Sequence, residues 1–147
     1  MIGLFAPIYL YVEGYSFIFI LLWVGLLSLF QFCFTIPSGN LAEKLGLKKT
    51  LASGVLLEAL GFISLYLIEY NEAHIFVSAM LLGVGGGLYW TPFHIIFSII
   101  SDHKNRGKET SFYSVISQFS NIVGPLTGAL IIIVFGFQLL FPVAILI

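Results

Sequence analysis

The chain has 147 residues, 59% of them hydrophobic and only 9% charged, with mean hydropathy +1.07 and a net charge of −1. Soluble domains carry about 25% charged residues, so this composition excludes a water-soluble globular protein, and the near-neutral balance gives no reason to expect nucleic acid as a partner. The lone Cys33 lies in an apolar segment, which excludes a disulfide framework and leaves a small buried side chain as its expected role.

Residues 1–12 are apolar but too short to cross a bilayer, which takes about 20 residues. No basic stretch precedes them, so no cleavable signal peptide is read. A span is expected at Tyr15–Ile36, the next within 50–68, interrupted by Glu58, and a third within 73–101. The run 110–147 is too long for one crossing. A turn at Gly136-Phe137-Gln138 divides it into a span at Thr110–Phe135 and the start of another. The expected fold is an all-α integral membrane bundle of four complete transmembrane helices and two partial ones. Because the chain begins and ends inside helices, it is expected to be a fragment of a longer protein.

All six basic residues fall into two clusters, Lys44, Lys48 and Lys49, then Lys104, Arg106 and Lys108. Two spans separate the clusters, so both face the same side. Glu13, Glu69 and Glu72 fall in the opposite connections. Short loops rich in Lys and Arg stay in the cytoplasm, so the expected location is the cell membrane, multi-pass, with both basic loops cytoplasmic.

The first basic loop reads Gly39-Asn40-Leu41-Ala42-Glu43-Lys44-Leu45-Gly46-Leu47-Lys48-Lys49. Gly39 is read as the point where the chain leaves a helix, and Gly46 as a left-handed turn. The Glu43–Lys44 acid-base pair is read as a lock on neighbouring helix ends. The loop resembles the cytoplasmic signature of the major facilitator superfamily, Gly-x-x-x-Asp-Arg/Lys-x-Gly-Arg-Arg/Lys-Arg/Lys, in which Gly39, Lys44, Gly46, Lys48 and Lys49 match. Glu43 replaces the Asp and Leu47 an Arg. The second basic loop, with Asp102, looks like that family's loop between helices four and five. Gly124-Pro125-Leu126-Thr127-Gly128-Ala129 partly matches its exporter-associated Gly-Pro element. The helix-four Arg of many exporters is missing, since Ala79 and Leu81 stand at the positions four before Gly83 and Gly85.

The resemblance implies that residues 1–147 form most of the N-terminal transmembrane half, from the end of helix one to the start of helix six, of a twelve-helix transporter. Its partners would be the bilayer, an unknown small-molecule substrate and the missing C-terminal half. It also implies contact between Lys44 and Asp102.

Polar side chains are costly in lipid and turn inward. Gly25, Ser28, Gln31 and Thr35 form one stripe, Thr91, His94, Ser98 and Ser101 a second, and Ser114, Ser117, Asn121, Gly124 and Gly128 a third. Small residues in such stripes serve close helix packing. Gln31, Trp90, His94, Gln118 and Asn121 are read as the substrate path, with interhelical hydrogen bonding as the alternative. Gly83-Val84-Gly85-Gly86-Gly87 followed by Pro92 is read as a hinge. Glu58, the only charge inside a complete span, costs about 2.5–3.5 kcal/mol there if ionised. It is either a proton-carrying site or a structural acid bonded to a carbonyl.

The expected function is secondary active transport of a small molecule by alternating access, with proton-coupled efflux as one form. Uptake of a sugar or organic solute is one alternative, and a non-transporting assembly subunit another. No enzyme motif, cofactor site or metal site is found; a membrane hydrolase would need Glu58 and His94 to face each other.

Overall fold

The structure is a computed structural model that describes residues 5–69, 71–101 and 106–136. The described residues contain no strand. The helices are α1 (Phe5–Val12), α2 (Phe17–Leu45), α3 (Leu47–Tyr66), α4 (Ala73–Ile100) and α5 (Arg106–Phe135), with a 3₁₀ turn at Leu67–Glu69. The four long helices each have the length and apolar content of a bilayer crossing. An α-helix satisfies most of its backbone groups within its own segment, which lipid requires.

Local chemistry sets the ends. Ser16 caps α2, its Oγ accepting from the Phe19 amide at 3.3 Å. α2 and α3 are joined by one residue, Gly46, at φ 93 and ψ 148. That backbone region is essentially reserved for glycine. The Thr50 amide and hydroxyl both donate to the Gly46 carbonyl, at 3.2 and 3.1 Å. At the other end Asn71 starts α4, its Oδ1 accepting from the Ala73 amide at 2.9 Å. Gly136 ends α5 with φ 77; Phe137 and Gln138 of the expected turn lie outside the described residues.

Two expectations are corrected here. Gly39 does not release the chain from a helix. α2 runs through Pro37 and Gly39 to Leu45. Its 29 residues rise about 43 Å, well past a hydrocarbon core of about 30 Å, so the signature segment up to Leu45 is a helical extension. Cys33 is exposed on α2, not buried.

Packing centres on α4, held between α2 and α3. Trp23 meets Ile75, and Thr35 meets Thr91, so α2 and α4 run parallel. Gly54 meets Tyr89 and Gly61 meets Leu82, so α3 is antiparallel to α4. The glycine run is the contact surface on both sides. A Cβ on Gly83 would strike the Leu27 carbonyl, and one on Gly87 would lie 3.2 Å from the Gln31 carbonyl. On the other face, a Cβ on Gly85 would lie 2.9 Å from the Gly54 carbonyl. α4 continues unbroken through Gly83–Gly87 and Pro92 to Ile100. The run is therefore a two-sided packing notch within a continuous helix.

At the end away from the basic loops, Ala6, Tyr9 and Leu10 of α1 join Ile20, Trp23, Leu65, Ile68, Ile75, Ala79 and Leu82 in one buried cluster. Trp23 Nε1 donates to the Ile75 carbonyl (3.2 Å) and Ser78 Oγ (3.1 Å). Outside this core, large apolar side chains such as Phe32, Ile36, Phe119 and Ile133 are exposed. Water would not tolerate such a surface, but lipid does.

Candidate functional site

The residues expected along the path come together in part. Trp90 and His94 stack one turn apart on α4, with ring centroids 5.8 Å apart and planes at 26°. Phe93 packs edge-on against both. Trp90 is 42% exposed and His94 is exposed too. Trp90 lies within about 5 Å of the midpoint of α4 along its axis. The Gln31 amide covers Gly86, one turn before Trp90, with its Cδ 3.3 Å from where a Cβ would stand. Gln31 on α2 and the Trp90–His94 pair on α4 thus adjoin.

The α5 residues are less closely joined. Tyr113 touches Phe93 and Phe97 at ring distances of 5.9 and 5.5 Å. With α5 antiparallel to α4, that register places Gln118 and Asn121 near the depth of Trp90 and Gly87. Both are exposed, and neither hydrogen-bonds to Trp90 or His94 among the described residues. Gly128 receives the Phe5 ring of α1, and α5 passes unbroken through Gly124 and Pro125.

Glu58 lies against the opposite face of α4, its Cγ 2.9 Å from a Cβ position on Gly85. No hydrogen bond of its side chain is present among the described residues. Gly85 and His94 are about 13 Å apart along α4 and serve different faces. Glu58 and His94 therefore do not form a catalytic pair.

Hydroxyls in the stripes mostly bond within their own helix. Ser28 donates to the Val24 carbonyl (2.9 Å), Thr35 to Gln31 (2.8 Å) and Thr127 to Gly124 (2.9 Å). The Thr91 hydroxyl reaches across to the Thr35 carbonyl at 3.5 Å.

Charge is segregated between the two ends. Glu43, Lys44, Lys48 and Lys49 are exposed at the α2–α3 junction and make no ion pair among the described residues. Asp102, the expected partner of Lys44, lies outside the described residues. At the other end, burial and then the carboxylates of Glu72 and Glu13 raise the Tyr15 phenol above its ordinary 10.0. No group of three metal-binding side chains occurs among the described residues.

One pairing was not read from the sequence. Ser64 Oγ donates to the His74 carbonyl at 3.1 Å and lies 3.3 Å from His74 Nδ1. The contact ties α3 to the start of α4. Its only sequence trace is two polar residues flanking a short turn.

The Major Facilitator Superfamily model matches residues 1–147. The Aeromonas hydrophila multidrug resistance protein MdtH is 29% identical over 106 residues, covering 72% of this chain and 26% of that protein. The Na(+), Li(+), K(+)/H(+) antiporter of Planococcus maritimus is 25% identical over 122 residues, covering 80% and 29%. A Geobacillus stearothermophilus protein from the sodM 3′ region is 30% identical over 99 residues, covering 66% and 46%. The matched segment is thus less than half the length of each of these relatives. No solved structure matches. A whole-length family match, on an all-helical bundle with four bilayer-length helices and the Gly46–Lys49 junction, gives one assignment: the chain belongs to the major facilitator superfamily.

Proposed function

We propose that this chain works as most of the N-terminal half of a secondary active transporter, from the end of helix one to the start of helix six, and exports a small molecule by alternating access. The basic ends are cytoplasmic, in line with the positive-inside rule. The observation that carries the reading is the stacked, exposed Trp90–His94 pair near the middle of a membrane-spanning helix, with the Gln31 amide beside it. Lipid gives these groups no hydrogen-bond partner, whereas a water-filled path between two halves does. The two aromatic faces suit a planar or apolar solute, and Gln31 and His94 supply polar contacts at its edge.

Export is favoured over uptake because relatives such as MdtH and the Planococcus protein carry multidrug resistance and antiporter names. Proton coupling falls to the His94 imidazole or to Glu58 in its notch against Gly85. The test is transport by cells expressing the complete reading frame, screened with a panel of dyes and drugs. His94→Ala and Trp90→Ala should alter apparent KM or pH dependence without loss of expression. Unchanged kinetics in both variants would remove this face from the path. Inward movement of the substrate would establish uptake instead. No transport of any panel member would favour the assembly-subunit reading.

A further inference from the structure

A second site adjoins this path at Phe93 and runs toward the basic end, where the end of α4 diverges from the start of α5. A cleft of about 470 Å³ opens there, lined by Phe93, Ile96, Phe97, Ile100, Phe112 and Ile116, with Ser101 and Glu109 among its few polar members. Three properties define what it could hold. From Phe93 to Ser101 it extends about 12 Å along the helix, close to the roughly 15 Å thickness of one hydrocarbon leaflet. Its walls are almost wholly apolar over that length. Its polar groups gather at the basic end of the bundle, at headgroup level.

Ser101 is 7% exposed, and its Oγ is buried without a hydrogen-bond partner among the described residues. A buried hydroxyl left unpaired costs about 1–3 kcal/mol, so a ligand that pairs it is favoured. Glu109, half-buried in the first turn of α5, makes no ion pair among the described residues. Lys108 precedes it on the same turn and is exposed. The described side chains at this end are Lys44, Lys48, Lys49 and Lys108 against Glu43 and Glu109. The local field is therefore positive and favours an anion.

We propose that this cleft binds one anionic phospholipid with a hydroxylated headgroup. One acyl chain lies along Phe97, Ile100 and Ile116. The phosphate accepts from the Ser101 hydroxyl and pairs with Lys108, and headgroup hydroxyls donate to the Glu109 carboxylate. Clustered basic residues at the cytoplasmic ends of helices recognise anionic headgroups by the same physics. The site rests on the membrane placement of the bundle but not on any transport activity.

The test is native mass spectrometry of the detergent-purified protein with phosphatidylglycerol, phosphatidylcholine or glycerol phosphate added. Wild type should retain one phosphatidylglycerol with about a fivefold preference over phosphatidylcholine, the size of effect one lysine gives at a membrane surface. Ser101→Ala combined with Lys108→Gln should abolish the preference. Ile116→Trp should reduce retention of both lipids by filling the cleft, with the helical circular dichroism spectrum unchanged. Equal retention of both lipids by wild type would overturn the proposal, as would full retention in Ile116→Trp. Equal competition by free glycerol phosphate would show a phosphate site without an acyl slot and would also overturn it. A protein that transports yet shows no lipid preference would refute this site and leave the transport reading standing.

Discussion

Replacing Gly54 by Ala should loosen the bundle, and its effect can be worked from distances. A Cβ at Gly54 would lie 2.6 Å from the Tyr89 amide nitrogen and 2.9 Å from both the Gly85 carbonyl oxygen and the Leu88 carbonyl carbon. All three are backbone atoms of α4, so no side chain can rotate away. Restoring ordinary contact at 3.4 Å means parting α3 from α4 by about 0.8 Å at this point. Overpacking of this kind costs about 1–3 kcal/mol, while Ala in place of helical Gly returns about 1 kcal/mol. Gly25→Ala on α2 receives the second effect alone, since nothing lies within 4 Å of its Cβ position. The difference between the two variants therefore isolates the packing cost. Unfolding in mixed detergent micelles should place Gly54→Ala below Gly25→Ala by about 1–3 kcal/mol. Equal stability of the two would refute the notch account of the α3–α4 interface.

Other consequences follow from single contacts. Gly46→Ala should destabilise by about 1–3 kcal/mol through backbone strain at φ 93, whereas Gly39→Ala, with open space around it, should not; the same unfolding assay reads both. Trp23→Phe should cost about 0.5–1.5 kcal/mol through loss of the indole donor shared by the Ile75 carbonyl and Ser78, which stay bonded to each other, and a variant as stable as wild type would discount that bond. Lys44→Ala and Asp102→Ala should each impair transport in the full-length protein. Their pairing predicts that the double variant is no worse than either single one; independent, multiplying losses would exclude it.

Much of the fold was legible because a bilayer forces backbone bonding to be internal, so apolar run lengths translate directly into helices. The four long helices appear where charge-free stretches placed them. What sequence could not show is where a helix stops once it leaves lipid. A polar helix is as good as a loop in water, and α2 therefore extends through Gly39 to Leu45. The glycine run was ambiguous for a related reason. A bend and a close contact both require a missing side chain, and the Leu27, Gln31 and Gly54 neighbours establish the close contact. In the candidate site, the Trp90–His94 stack follows from four-residue spacing on one helix. The seating of Gln31 over Gly86 depends on the offset between α2 and α4, which leaves no periodic trace. The same holds for Ser64 and His74, and for the unpaired Ser101 hydroxyl.

The central claim is a multi-pass bundle with its basic ends in the cytoplasm, and side-specific cysteine labelling tests it most directly. On a Cys33→Ala background, Lys48→Cys and Asn71→Cys report the two ends of α3 without disturbing the glycine at position 46. With a membrane-impermeant maleimide on intact cells, the cysteine at position 71 should label and the one at position 48 should not, while inside-out vesicles should give the reverse. Labelling of both positions from the same side would contradict the topology and, with it, the transporter built on it.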